Sequence, residues 1–127
     1  MCVPWLSPGN ARPKEECFGI HLRCAKFGNQ RGLALDIKLR TMWGEKIMMS
    51  LVELAPNSRV PTHSHPNEQA GMVLEGEFDF TIGGETTRLK KGDFYIIPGG
   101  VEHGLVSLDG RSSALDIFSP PREEYKP

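Results

Sequence analysis

Three of the four histidines in this 127-residue chain sit in two short contexts. His63 and His65 flank a serine in Pro61-Thr62-His63-Ser64-His65-Pro66-Asn67-Glu68-Gln69, and His103 closes Pro98-Gly99-Gly100-Val101-Glu102-His103. In a strand, residues i and i+2 point to the same side, so His63 and His65 can aim both imidazoles at one point. Gln69 falls on the strand after the Pro66-Asn67 bend. His103 can complete the cluster from a strand remote in sequence but adjacent in a barrel. Imidazoles with an oxygen donor beside them suit a divalent transition metal, with zinc, copper, iron and nickel all in range. His21 has no partner at ligand spacing and reads as structural.

A second group lies near the C-terminal end. Ala114, Asp116 and Phe118 share one face of a strand whose other face carries Leu115 and Ile117. An aspartate between apolar neighbours is costly unless it is paired or working. Facing a barrel interior, it would join the metal pocket, where burial raises its pKa into the range of a general acid or base. Facing outward from an edge strand, it would be an ordinary surface group. Ser119-Pro120-Pro121 then stiffens the chain and fixes where Arg122 points. An arginine presented rigidly beside a metal pocket matches the two oxygens of a carboxylate. A surface ion pair with Glu123 or Glu124 is the plainer alternative.

The elements that must position these residues are short strands. Leu33, Leu35, Ile37 and Leu39 alternate with polar residues over 33–40, the pattern of a strand with one wet face. A turn follows at Trp43-Gly44-Glu45. Residues 47–54 are apolar at nearly every position, which predicts a strand covered on both sides. Pro56-Asn57-Ser58 ends it. Residues 77–82, Gly83-Gly84 and residues 86–89 read as a hairpin. Further strands are expected at 72–74, 94–97, 104–108 and 114–118, between Lys91-Gly92-Asp93, Pro98-Gly99-Gly100 and Asp109-Gly110. No window carries a helical stripe, and 14 glycines with 10 prolines supply the turns. Short strands recurring every 8–12 residues favour an all-β sandwich, barrel or jelly roll.

With 15 basic and 16 acidic residues and a net charge of -1, the chain has no basic footprint for a phosphate backbone, so nucleic acid is not expected as a partner. Residues 1–18, with prolines at 4, 8 and 13, read as an extended arm that is partly disordered, and 19–127 as one domain. Cys2, Cys17 and Cys24 form no CxxC pair and read as reduced thiols. No signal-like or membrane-spanning run is evident, so a cytoplasmic protein is expected. The two prolines of the tail keep it from continuing a central strand.

These residues resemble the cupin superfamily. Its first motif, G-x5-H-x-H-x(3,4)-E-x6-G, runs over 57–76 with His63, His65 and Gly76 in place; its second, G-x5-P-x-G-x2-H-x3-N, falls on Gly92, Pro98, Gly100 and His103. Two motifs in the correct order cover 57–107, and the flanking strands extend the likeness to most of the chain. The resemblance implies a double-stranded β-helix, or jelly-roll barrel, with a metal pocket inside one end. Asn57 replaces the opening glycine, a change asparagine tolerates because it enters left-handed turns. Ser107 stands at the closing asparagine. Gln69 stands where the acidic ligand falls, and the adjacent Glu68 would point away in a strand, so Gln69 is favoured over Glu68 as ligand. Three imidazoles and a carboxamide leave a divalent ion its full +2, which favours polarising an oxygen over oxygen chemistry.

H-x-H-P-x-E-Q followed by D-x-F-S-P-P-R-E looks like the pectin-degradation cupins that linearise unsaturated uronates. That likeness implies His63, His65, Gln69 and His103 as ligands of one metal ion (Ni, Zn, Fe or Mn), and roles around the sugar for Asp116, Phe118 and Arg122. It implies conversion of 4,5-unsaturated uronates, left by pectin or alginate lyases, into 4-deoxy-5-keto uronates, with a small acidic sugar as partner. A metal-dependent dioxygenase and a non-catalytic sugar-acid-binding module are the alternatives on the same scaffold. A homodimer is also implied, with the strand at 33–40 or the N-terminal arm covering a sheet edge of the partner.

Overall fold

The computed structural model describes residues 21–26, as backbone, and 37–126. The expected arm at 1–18, residues 33–36 and two of the cysteines lie outside these, as do the side chains of His21 and Cys24. The described residues form ten strands: β1 (His21–Lys26), β2 (Ile37–Trp43), β3 (Met48–Leu54), β4 (Arg59–His63), β5 (Glu68–Glu75), β6 (Glu77–Ile82), β7 (Glu85–Lys90), β8 (Phe94–Ile97), β9 (His103–Ser107) and β10 (Ser112–Ser119). A short 3-10 helix, Glu123–Tyr125, follows. None of the described helical segments is long and apolar enough to cross a membrane.

The strands build two sheets in the orders β1-β2-β3-β10-β5-β8 and β4-β9-β6-β7, with antiparallel pairing throughout. The two sheets face one another as the expected double-sheet barrel. Their inner faces supply one core, in which Ile37, Leu39, Val52, Leu54, Val73, Phe78, Phe80, Tyr95, Ile97 and Ala114 pack together. The period-2 pattern does this directly: in β2, Ile37, Leu39 and Thr41 are buried while Lys38 and Arg40 are exposed. The Gly83-Gly84 turn closes the β6–β7 hairpin with both residues at positive φ (58° and 85°), a geometry that glycine enters without a Cβ clash. Asn57 sits at φ 57°, so the residue replacing the motif's glycine takes up the left-handed conformation expected of it.

Several boundaries differ from the sequence reading. The strand expected over 33–40 runs on to Trp43, and the turn after it is closed by the Gly44 N–H donating to the Ile47 carbonyl at 2.9 Å. β9 begins one residue earlier, at His103, and β10 spans Ser112–Ser119 rather than 114–118. β3 is not covered on both sides. Its burial alternates, with Met49 exposed, because no described element packs on the outer face of the larger sheet. That face carries Met49 and Leu51 from β3, Leu115 and Ile117 from β10, Ala70 and Met72 from β5, and Phe94 and Ile96 from β8, in consecutive register. Phe94 is 76% and Ile96 65% exposed. β2 lies between β1 and β3, so the described part of the strand read at 33–40 is paired on both sides from Lys38 on and is no free edge there.

Candidate metal centre

His63 is the last residue of β4, an edge strand that tolerates Pro61 because its outer side needs no ladder partner. The β4–β9 register breaks between Val60 and His63. His65 lies beyond the strand end, so the i, i+2 argument holds for neither residue in its simple form. A loop places His65 instead: the Gly100 N–H donates to the His65 carbonyl at 2.8 Å, and a Cβ on Gly99 would overlap the Pro66 carbonyl oxygen. The two histidine-bearing segments are thereby held against each other. His103 pairs directly with His63 in the β4–β9 ladder.

The three rings meet inside one end of the barrel, with a ligand nitrogen from each within 4.8 Å of the others. Their orientation is fixed from behind. His63 Nδ1 donates to the Pro61 carbonyl (2.9 Å), His65 Nδ1 to Asn67 (3.0 Å) and His103 Nδ1 to Val101 (2.8 Å). A carbonyl only accepts, so each Nδ1 carries the proton and each Nε2 of a neutral ring presents a lone pair. Burial lowers the His65 pKa, with the Arg122 charge adding to it, and burial lowers that of His103 to about 4, so both rings are neutral at pH 7. His103 Nε2 is buried with no hydrogen-bond partner.

Gln69 completes the acceptor set. It is buried on the inner face of β5, while Glu68 is exposed on the outer face, so the carboxylate alternative points away from the cluster. The Gln69 amide bonds to Asp116, to which only its NH2 can donate, and this turns Oε1 towards His65 Nε2 at 3.1 Å. Two lone pairs facing each other at this distance repel unless a cation lies among them. The donor set and the orphaned His103 nitrogen therefore fit a divalent metal ion, and three imidazoles with a neutral oxygen suit the later first-row ions.

Asp116 lies at the middle of the larger sheet, because β10 runs between β3 and β5. It lines the cavity with Phe118, on the side of β10 whose Ala114 packs in the core, so the outward-facing edge-strand alternative is excluded. Burial raises its pKa to about 6, against the opposing effect of hydrogen bonds from Tyr95 and Gln69 and the Arg122 charge. Phe118 is buried and sets its ring edge against His65, with centroids 5.7 Å apart. Arg122 is buried and lines the cavity rather than the surface, yet it also makes the expected ion pair: Nε donates to Glu124 Oε1 at 2.6 Å. Nη1 donates to the Tyr125 hydroxyl at 2.7 Å, and the guanidinium lies 4.1 Å from that ring centroid. These bonds engage two of its five N–H donors.

The sequence reading missed two residues of this site. Tyr125 folds back with the 3-10 helix to line the cavity, anchored where Thr41 Oγ1 donates to its carbonyl at 3.2 Å. Tyr95 donates a short hydrogen bond to Asp116 Oδ1. The parity of β8, in which Tyr95 and Ile97 share the buried side, was a signal available for Tyr95. Ser107 has a structural part: it is buried, receives the Ser58 N–H at 2.6 Å and donates to Ala55, tying β9 to the β3–β4 turn.

The sequence profile of the family described as Cupin domain matches residues 50–118. The chain belongs to the cupin family. The pectin degradation protein KdgF of Dickeya dadantii (strain 3937) is 36% identical to this cupin over 84 residues, 65% of this chain and 76% of that protein. The structure of KdgF from Halomonas sp. matches with a TM-score of 0.69 at 26% identity, covering 80% of this chain and 96% of the other. An RmlC-like cupin from Shewanella frigidimarina matches with the same TM-score at 25% identity, covering 81% and 98%.

Two outcomes follow for this cupin. Titration calorimetry with Ni2+ or Zn2+ will show one ion per chain, and His103→Ala will weaken it by more than the roughly 10–100-fold typical of losing an outer partner. Unchanged binding in that variant would place the ion elsewhere. In chelator-treated protein, Asp116 has a folded pKa of about 6 against an ordinary 3.8. The protonated form thus stabilises the fold below the ordinary value, and this contribution is lost as pH rises through the folded one. Asn does not titrate, so denaturation of Asp116→Asn will show its stability relative to the wild type rising by about 1–2 kcal/mol between pH 4 and 7, allowing for partial exposure.

Proposed function

We propose that this cupin is a metal-dependent enzyme that opens the ring of 4,5-unsaturated uronate monosaccharides, giving 4-deoxy-5-keto uronates. The observation that carries the reading is that three converging imidazoles, those of His63 and His103 lining the cavity, share one end of the barrel with a cavity-lining carboxyl group of pKa near 6 and a buried arginine. The likeness to two KdgF proteins, one of them named for pectin degradation, supports the substrate class.

His63, His65, Gln69 and His103 would hold the metal, which when bound supplies a positive charge that polarises an oxygen of the sugar or of water. The chain's own residues do the rest. Arg122 binds the sugar carboxylate through donors that Glu124 and Tyr125 leave over. Phe118 forms an apolar wall beside the ring and keeps bulk water from that side. The substrate's C4–C5 double bond carries the ring oxygen on C5, so it is an enol ether and takes a proton at C4. Asp116, protonated in a good fraction of molecules near its pKa, delivers that proton and retains the negative charge. Hydroxyl from water then bonds to C5, its second proton returning to Asp116. The resulting hemiketal breaks its bond from C5 to the ring oxygen: C5 becomes a ketone, the ring oxygen takes the hydroxyl's proton, and the hydrated aldehyde left at C1 releases water. The net change is an isomerisation that needs no oxidant.

We propose in addition that a second copy of the chain covers the apolar outer face of the larger sheet. The four strands β3, β10, β5 and β8, about 4.8 Å apart and up to eight residues long at about 3.3 Å each, project roughly 500 Å², more than half of the roughly 800 Å² that each partner gives to a standard interface. A residue near a two-fold axis meets its own copy, so an uncharged apolar patch is self-complementary.

Metal-loaded protein given unsaturated galacturonate or mannuronate will remove the double bond, read by UV absorbance, and yield the keto acid by NMR faster than the spontaneous reaction. Asp116→Asn will lower the rate by about 100-fold or more. Ligand-induced stabilisation without turnover would mark a binding module instead, and substrate-dependent oxygen uptake with iron would mark a dioxygenase. In sedimentation at micromolar concentration the chain will run as a dimer, and a Phe94→Glu/Ile96→Glu double variant as a monomer; a wild-type monomer would refute the interface.

A further inference from the structure

We infer that Tyr95 is a positioning residue for the proposed ring opening, reaching over Gly71 to fix which oxygen of Asp116 the sugar meets; the inference rests on the functional reading given above. Three residues stand in one row across the larger sheet. Tyr95 of β8 pairs with Gly71 of β5, and Gly71 pairs with Asp116 of β10. All three face inward. Strands two places apart lie roughly 10 Å from one another, so a side chain on one reaches a side chain on the other only by crossing the residue between them.

Gly71 makes that crossing available. A Cβ built there would overlap the outer end of the Tyr95 ring and its hydroxyl oxygen, so any other residue at 71 displaces the contact. The backbone of Gly71 shows no positive φ, and its lack of a side chain is therefore explained by space rather than by conformation. The ring is held on its far side by Phe80, whose centroid lies 4.9 Å away in an edge arrangement. Tyr95 itself does not line the cavity, whereas Asp116 does.

The consequence is geometric. Tyr95 donates to Oδ1 of Asp116. With that oxygen tied to a buried phenol, the carboxyl plane cannot spin about its Cβ–Cγ bond, and Oδ2 becomes the oxygen that exchanges a proton with the substrate. A group that transfers a proton must hold its heavy atom in one place, and a misplacement of about 1 Å can cost on the order of 100-fold in rate. Tyr95 touches neither the sugar nor the imidazoles, so its loss should leave binding of both in place.

The experiment compares Tyr95→Phe, Gly71→Ala and the double variant, each metal-loaded with its metal content measured, on unsaturated galacturonate. Tyr95→Phe is expected to lower kcat by about 10–100-fold with KM unchanged within about threefold. Gly71→Ala keeps the phenol but moves it, and should reproduce that split. The double variant should be no worse than either single one, because both remove the same contact. A kcat within about twofold of wild type in Tyr95→Phe overturns the assignment, as does a loss that appears in KM or in metal content instead. A second readout does not depend on turnover. The Tyr95 hydroxyl proton should exchange slowly and resonate downfield in the wild type, and lose both properties in Gly71→Ala. Should the wild type fail to act on any unsaturated uronate, the functional reading falls while this signature still judges Tyr95: its presence in the wild type with loss in Gly71→Ala upholds the orientation of Asp116, and its absence from the wild type overturns it.

Discussion

Three backbone carbonyls, those of Pro61, Asn67 and Val101, each accept the Nδ1 proton of a histidine, and the rest of the site depends on that. Each bond commits its ring to one tautomer and turns the opposite nitrogen inward. Burial then makes the charged forms of His65 and His103 costly, so these two rings do not relieve the meeting of their lone pairs by taking up protons near neutral pH. An acceptor-only cluster of this kind is unfavourable in the empty protein and favourable around a cation. All three carbonyls sit within two residues of the histidine they hold, so the arrangement is written into local chain geometry. The barrel has only to bring the two loops together, which the Gly99–Pro66 approach and the bond from Gly100 to His65 accomplish.

Gln69 explains how a carboxyl group with a raised pKa can sit beside such a cluster. A glutamate in its place would set a second carboxylate against Asp116, and two like charges in one low-dielectric cavity cannot both remain ionised. The carboxamide avoids this because its two ends differ. Its oxygen joins the imidazole acceptors while its NH2 group donates to Asp116, so one side chain satisfies a neighbour of each kind. The same choice leaves a bound divalent ion uncompensated, so the cavity favours an anionic occupant, with the Arg122 guanidinium adding a second positive group.

The legibility of this fold follows from how locally each feature is encoded. The Gly83-Gly84 hairpin, the turn at Lys91-Gly92-Asp93 and the alternation in β2 are properties of a few adjacent residues, and the sequence displays them. The placement of Asp116 was legible too, since parity puts it with Ala114 and Phe118, and only a central strand makes that face a cavity wall. What could not be read was anything set by pairing at a distance. The apolar run in β3 looked like a strand buried on both sides, because composition cannot say that its second face lies on the outside of a sheet. His65 was assigned to a strand when a loop held from Gly100 positions it. Tyr125 was hidden for the same reason: two prolines signalled the end of β10, but not that the tail would return to the barrel mouth, where Asn67 Nδ2 donates to the Pro120 carbonyl at 2.6 Å.

That return couples the Arg122 end of the cavity to the histidine cluster. Asn67 contributes its carbonyl to His65 and its side-chain amide to the tail, so one residue of the bend after the histidine pair fixes both a ligand and the segment that carries Arg122. Arg122 is then stacked on Tyr125 and tied to Glu124, contacts available only once the 3-10 helix has formed. A tail that detached would therefore remove the cavity's arginine and loosen the His65 carbonyl partner together. Arg122 and the histidine cluster are consequently tied to one another through the single bend residue Asn67.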